Sequence, residues 1–313
     1  MSKLKQETIS VGGVDTRVLK SGNGSSSLVF IHGGVPGVTP YASGAHIWGD
    51  CLARFAAEGP VVALDLPGSG GTALPPGANL TIDMLSKHVR DTLVALGINQ
   101  AHLVGHDLGG VVAFDLACDI AAAKAATGGK ASGKSDLVAA VTAVASVAAS
   151  PTGDGVENLT FAYPPAPLWG RESQAWALER ICYAHHHIDA TLLDGCVAAA
   201  QGAPHLAAVA AMQEGAHAGH FVPSLMQAKA RFYETTRGAG LPMPVQVIWG
   251  THDPLGTLDQ GMWLYRIVAK RQTASHFHLI NRAGALPFRE EPEAFHQVVG
   301  AFHDATVRLK LEL

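Results

Sequence analysis

Gly105-His106-Asp107-Leu108-Gly109-Gly110 follows directly on the short apolar run His102-Leu103-Val104 and precedes a helical stretch over 109–123. A chain that leaves a strand, turns sharply on one polar residue and enters a helix presents that residue on a strained, exposed corner. Glycines two before and two after the turn let strand and helix approach closely. The turn also sets the backbone N–H of Leu108 and the positive end of a helix beside Asp107, which favours negative charge there. Alone, the pattern reads equally well as an N-cap aspartate opening a helix.

Working outward, the same strand-then-glycine pattern recurs. The run 28–31 ends at His32-Gly33-Gly34-Val35-Pro36-Gly37, and 61–64 ends at Asp65-Leu66-Pro67-Gly68. The runs 141–147, 245–249 and 277–280 are three more candidate strands, and 48–58, 82–96, 109–123 and 258–269 are helical. Apolar strands alternating with helices predict a mostly parallel, twisted sheet covered on both faces. The segments 8–11 and 16–19 read as an antiparallel opening hairpin. The polar, Gly-rich 124–136 reads as a surface loop. The stretch 151–237 shows no strand pattern, and predicts a helical cap over the carboxyl ends of the strands, where ligands bind in open α/β sheets. The expected organisation is a core of residues 1–150 and 238–313 with a cap of 151–237.

Composition narrows the function. Of 313 residues, 48% are hydrophobic and 15% charged, enough for a sizeable core. A net charge of −4 without basic runs argues against nucleic acid or a membrane surface as partner. The four cysteines lack a CxxC pair and read as reduced buried thiols, and the first residues lack a signal-like apolar run. The expectation is a cytoplasmic protein. No metal spacing or dinucleotide fingerprint is present, so no cofactor is expected. The successive His185, His186 and His187, read as helical, do not converge as ligands. Asp65 reads as a stabiliser of its own loop, and Asp83, Asp91, Glu290 and Glu291 as solvated charges. The bulky cap is compatible with a homodimer.

Taken in order, HGGVPG, DLPGSGG, GHDLGG, WGTHD and RAGALPFREEPEAF resemble the α/β-hydrolase superfamily over nearly the whole chain. The HGGVPG loop is similar to that of meta-cleavage-product (carbon–carbon bond) hydrolases. The GHDLGG turn is similar to that of epoxide hydrolases and haloalkane dehalogenases, which attack through aspartate. The resemblance implies Asp107 as nucleophile, Asp253 as the acid orienting a histidine, and an oxyanion hole from the N–H groups of Leu108 and the Gly34–Val35 loop. His32, His106, Tyr163, Trp169, Tyr183 and Leu286 are the expected pocket residues, with Tyr163 or Tyr183 as candidate proton donors to an epoxide oxygen.

The last motif departs from the family. The histidine of G-H-x-P-x-x-E-x-P falls at position 285, which holds Ala285. This is read as an inactivating substitution. A natural relative that has lost the base, or one recruiting His252 or His185–His187, are the other readings.

An ionised carboxylate needs no base to displace a leaving group at an sp³ carbon, so the implied chemistry is an aspartyl ester formed on Asp107 and not hydrolysed. A small hydrophobic or aromatic epoxide, or a carbon–halogen bond, is the expected substrate. Leu108 and Gly34 stand where dehalogenases place halide-gripping side chains, which favours the epoxide. The alternatives are carbon–carbon or ester hydrolysis and a non-catalytic ligand binder on the same fold.

Overall fold

The computed structural model describes residues 4–127, 137–151 and 159–308. The chain opens with β1 (Lys5–Val11) and β2 (Val14–Ser21), an antiparallel hairpin whose tip, Gly12-Gly13, takes φ of 58° and 84°. Only glycine adopts two successive positive φ values cheaply, as such a two-residue hairpin turn demands. Then follow β3 (Ser26–Ile31), α1 (Cys51–Ala56), β4 (Val61–Leu64), α2 (Ile82–Ala95), β5 (Gln100–His106), α3 (Leu108–Ala126) and β6 (Val138–Val144). After β6 come α4 (Arg171–Ile181), α5 (Ala190–Ala200), α6 (Ala203–Ala211), a π-helical turn Met212–Phe221 and α7 (Val222–Arg237). The chain then returns through β7 (Val245–Gly250), α8 (Leu258–Ala269), β8 (Ser275–Ile280), α9 (Pro287–Glu290) and α10 (Pro292–His303).

The eight strands form one sheet in the order β1-β2-β4-β3-β5-β6-β7-β8, parallel throughout from β4 to β8. Successive side chains of a strand point to opposite faces, and β3 divides its residues accordingly. Val29 and Ile31 join a core with Leu85 and Val89 of α2, Val112 of α3 and Leu264 of α8. Leu28 and Phe30 join a second core with Leu52 and Phe55 of α1 and Phe295 and Val299 of α10. Two covered faces explain why these strands read as continuous apolar runs.

Two sequence expectations change here. β6 covers 138–144, not 141–147, because after Val144 the chain turns into a short 3-10 segment, Val147–Ala149. α3 continues through Ala126, beyond the start of the expected loop, whose residues 128–136 lie outside the described residues. Among the described residues no single helix is long and apolar enough to cross a membrane.

Residues 159–237 contribute no strand among those described; α7 packs against α3 and α2, and residues of the segment before it approach the loops after β3 and β4. A Cβ at Gly37 would sit 3.1 Å from the Met212 Cβ, and one at Gly68 would sit 2.9 Å from the Ala208 Cβ. Gln174 of α4, fully buried, accepts from the Ala42 N–H at 2.8 Å and donates to the Pro40 carbonyl at 2.9 Å. A buried amide with both ends bonded ties α4 to the loop after β3.

Candidate active site at the strand ends

Asp107 adopts φ 44° and ψ −110°, outside the regions that L-residues favour. The surrounding glycines make this turn possible. A Cβ at Gly105 would lie 2.3 Å from the Gly109 carbonyl oxygen, and one at Gly109 would lie 2.1 Å from the Ile31 carbonyl oxygen. Any side chain at either position would push strand and helix apart. The turn is pinned from behind: the Asp107 N–H donates to the Val144 carbonyl at 3.0 Å, and Ser146 Oγ donates to the Asp107 carbonyl at 2.6 Å.

Burial pushes the Asp107 carboxyl above the usual carboxylate range, and the backbone N–H groups of Leu108, Ala148 and Gly34 act against that shift. These three come from separate elements: the first residue of α3, the 3-10 segment after β6, and the loop after β3. Gly34 reaches its place with φ 82°, and Val35 behind it is 8% exposed, its N–H bonded to Thr39 Oγ1 at 3.0 Å. The expected Leu108 and Gly34 donors thus face Asp107, whereas the Val35 N–H is turned to Thr39. Ala148 was not foreseen, since nothing in Ser146–Ser150 marks it as a donor.

Asp253 stands just beyond β7. Its Oδ1 accepts the N–H groups of Leu255 at 2.9 Å and Gly256 at 3.3 Å, while its buried Oδ2 has no hydrogen-bond partner among the described residues. Burial is the main cause that raises its carboxyl to about 7, with further raising from Asp107 and Glu290. The two aspartates therefore lie within electrostatic reach of each other. An unsatisfied buried oxygen is costly, roughly 1–3 kcal/mol.

The segment that carries Ala285 closes this side. The His252 N–H donates to the Ala283 carbonyl at 2.9 Å, and a Cβ at Gly250 would meet the Gly284 carbonyl oxygen at 2.1 Å. Ala285 is 2% exposed, its N–H donates to the Ile181 carbonyl at 2.8 Å, and its carbonyl faces His106 Nε2 at 2.9 Å. Glu290 organises the same segment: its carboxylate accepts from the N–H groups of Tyr183 (2.6 Å), Ala184 (3.1 Å) and Gly284 (2.7 Å). At 3% exposure it is a buried clasp between the helical insertion and the Ala285 segment, not the solvated charge that the sequence suggested.

The other expected pocket residues divide sharply. His32 is fully buried and structural. Its Nε2 accepts the Leu66 N–H at 3.0 Å, so Nδ1 carries the proton donated to the Gly33 carbonyl at 2.7 Å. His106 donates to the Ala285 carbonyl from between Trp48 and Phe288, and burial drives it down to about 4, so it is a neutral brace. Leu286 is fully buried in the second core. Trp169 packs on Ala42, Ala199 and Ala200 and meets His205 edge-on at 4.6 Å. Tyr163 is 94% exposed and Tyr183 49%, the latter packed at a tilt against the His252 ring at 4.2 Å.

His185, His186 and His187 lie in a turn between α4 and α5 rather than on a helix, and no group of three or more metal-binding side chains occurs among the described residues. Asp65 is fully buried, as its loop role requires: it accepts from the Ala45 N–H at 2.6 Å and the Gly71 N–H at 2.7 Å and pairs with Arg17. All four cysteines are buried and free.

Tyr41 was missed. It is 2% exposed, and its ring lies against Gly34, where an added Cβ would sit 3.3 Å from Tyr41 Cε2. Burial and then the charge of Asp107 raise its phenol well above the ordinary tyrosine value, with Asp253 acting in the same direction. In the sequence it is one residue of an unremarkable Thr39-Pro40-Tyr41 turn.

Comparison with known proteins agrees with this architecture. A 2-hydroxy-6-oxononadienedioate/2-hydroxy-6-oxononatrienedioate hydrolase of Cupriavidus pinatubonensis is 26% identical over 285 residues, 90% of this chain and 88% of the relative. Shorter matches include a Burkholderia fluoroacetate dehalogenase, 30% identical over 37% of this chain and 36% of the relative. The first curated relatives are matched over only 27%, 36% and 37% of their own length. Among solved structures, the meta-cleavage product hydrolase CumD of Pseudomonas fluorescens superposes with a TM-score of 0.72 at 22% identity, covering 95% of this chain and 97% of that one. The family model described as "Alpha/beta hydrolase family" matches residues 28–298. With this match spanning most of its length and the sheet in the matching arrangement, the chain belongs to the alpha/beta hydrolase family.

Proposed function

We propose that this protein is a hydrolase-fold enzyme that attacks an sp³ carbon of a small apolar substrate through Asp107, forming an aspartyl ester that it resolves slowly. The observation that carries this reading is the environment of the Asp107 carboxylate. In an acyl-transfer site the N–H groups at Gly34 and Leu108 receive an oxyanion from the substrate. Here they face the enzyme's own carboxylate. Three N–H groups favour its ionised form, and that form is nucleophilic without a base.

The reaction divides in two. One Asp107 oxygen attacks the carbon, the bond to the leaving group breaks, and an alkyl ester remains. Hydrolysis then needs water deprotonated near the ester carbon, the work of a histidine paired with Asp253. Ala285 offers no such group, and Asp253 Oδ2 lacks the N–H donor that an imidazole would supply. Residues 151–237 are proposed as a cap whose helices cover the substrate. The lining expected beneath them suits a hydrophobic or aromatic molecule.

A second reading, carbon–carbon bond hydrolysis, is favoured by the match of 90% of the chain to a relative with that kind of name. It requires the Gly34 and Leu108 donors to be open to a substrate oxygen, which the Asp107 carboxylate opposes. Substrate consumption at known protein concentration separates the readings. With an aromatic epoxide or an alkyl bromide, the proposal expects about one equivalent consumed per protein, then near-arrest. Steady turnover of a vinylogous diketone acid without epoxide or bromide consumption would overturn it.

A further inference from the structure

We propose that Ser146 is a positioning residue for Asp107: its hydroxyl orients the Asp107–Leu108 peptide plane and, through it, the Leu108 N–H that faces the nucleophile. The inference rests on the reading of Asp107 as nucleophile and adds what keeps its carboxylate in place. Nothing in the sequence marks Ser146, which follows β6 in an Ala-rich stretch.

A residue at φ 44° and ψ −110° does not hold that conformation by itself, so its surroundings must impose it. Two dihedrals define the turn, and each is fixed by the peptide plane beyond it. The plane before Asp107 is held by its N–H, which donates to the Val144 carbonyl at 3.0 Å. The plane after it is held by its carbonyl, which accepts the Ser146 hydroxyl at 2.6 Å and the Gly110 N–H at 3.0 Å. In a trans peptide the carbonyl and the following N–H point in opposite directions. Gripping the Asp107 carbonyl from behind therefore aims the Leu108 N–H forward, toward the carboxylate.

The opposite side of this clamp is strained as well. Val144 and Ser146 reach the same residue with Ala145 between them at φ 46°, an uncommon left-handed value for alanine. The Ala145 N–H donates to the Ile248 carbonyl of β7 at 2.9 Å, and its carbonyl accepts the Val147 N–H at 2.9 Å, so this residue is held too. Ser146 is fully buried, and its hydroxyl has room because residue 110 is a glycine: a Cβ at Gly110 would lie 2.3 Å from Ser146 Oγ. The Ser146 carbonyl also accepts the Ala149 N–H at 3.1 Å, closing the 3-10 turn that carries Ala148. One residue thus sets the nucleophile's backbone and anchors the segment that holds a further donor.

The test follows alkylation of Asp107 by phenethyl bromide from pH 4 to 8, by intact mass and peptide mapping, in the wild type, Ser146→Ala, Ser146→Cys and Ser150→Ala. An Asp107 oxygen bonds to the carbon and bromide leaves with the bonding pair, so no proton donor enters the profile. Ser150 belongs to the same turn, but its hydroxyl donates to the Val147 carbonyl at 2.7 Å, so its variant controls for loosening of the segment. His106, Asp253 and Tyr41, the titratable groups around Asp107, are the same in every variant. With the Leu108 N–H released, Ser146→Ala should alkylate about 10–100-fold more slowly. The midpoint of its pH profile should rise by about one unit, because the ionised carboxyl loses a donor. Ser146→Cys, similar in volume and a weaker donor, should fall between. Thermal unfolding checks that each variant is folded. A midpoint in Ser146→Ala and Ser146→Cys that stays at the wild-type value, or moves no further than in Ser150→Ala, would overturn Ser146 as a positioning residue while leaving Asp107 as nucleophile. Absence of a wild-type adduct on the Asp107 peptide would overturn the nucleophile reading itself, and the Ser146 proposal with it.

Discussion

On the proposed reading of Asp107 as nucleophile, replacing Ala285 with histidine should turn ester formation into full turnover. Asp253 Oδ2 is buried without a partner and its carboxyl is held at about 7. An imidazole N–H at position 285 would satisfy that oxygen, recovering roughly 1–3 kcal/mol of unmet hydrogen bonding. It would also lower the Asp253 pKa, because the charged form gains a donor. Against this, Ala285 is only 2% exposed and its N–H is tied to Ile181, so the larger ring must displace neighbours, at a cost of about 1–3 kcal/mol. The two contributions nearly cancel, and Ala285→His is expected to fold with a stability close to wild type. The kinetic effect does not cancel. A positioned base accelerates ester hydrolysis by about 10²–10⁴-fold, while alkylation of Asp107, which needs no base, should change little. The assay is decay of the preformed adduct, followed by intact mass after excess substrate is removed. A folded Ala285→His protein whose adduct decays no faster than the wild type's would refute the argument that position 285 is the missing base.

Other consequences follow from the same geometry. Glu290→Ala deprives three N–H groups, that of Gly284 buried, of their acceptor and should cost about 1–3 kcal/mol, read as a urea-midpoint shift, with Glu290→Gln retaining part of it. Gly109→Ala would place a Cβ 2.1 Å from the Ile31 carbonyl oxygen and should abolish soluble folded protein on expression. Asp253, held at about 7, favours the folded state most when protonated, so its share of stability is present below about pH 4 and lost as pH rises through 7. Asp253→Asn should flatten that part of a stability profile, worth up to about 4 kcal/mol. The buried histidines His88, His106 and His303, lowered to about 4, act oppositely: their contribution is present above about pH 6.5 and lost as pH falls toward 4. Urea midpoints measured from pH 4 to 8 should therefore pass through a maximum.

The fold was legible because its strands are buried on both faces and bounded by glycines: 61–64 and 258–269 coincide with β4 and α8. The Asp107 turn was legible for a related reason, since Gly105 and Gly109 are required by close backbone approach and leave a sequence trace. Residues whose role depends on distant partners left none. Glu290 looks like Glu291 in sequence, yet one is buried beneath three N–H groups and the other belongs to the surface pair with Arg282. Tyr163 was expected in the pocket and Tyr41 was not. Burial separates them, 94% exposed against 2%, and burial is set by helices of the insertion that carry no distinctive periodicity. His32 spends both ring nitrogens and His106 its Nε2 on backbone groups, which only three-dimensional proximity reveals.

The central claim is that the Asp107 carboxylate is the nucleophile, and peptide mapping of the protein after incubation with an aromatic epoxide tests it most directly. The prediction is a mass increase equal to one intact substrate molecule on the peptide containing Asp107, stable for hours and absent from Asp107→Asn. A modification on any other residue, or an unmodified Asp107 peptide with every epoxide and alkyl halide tried, would contradict it.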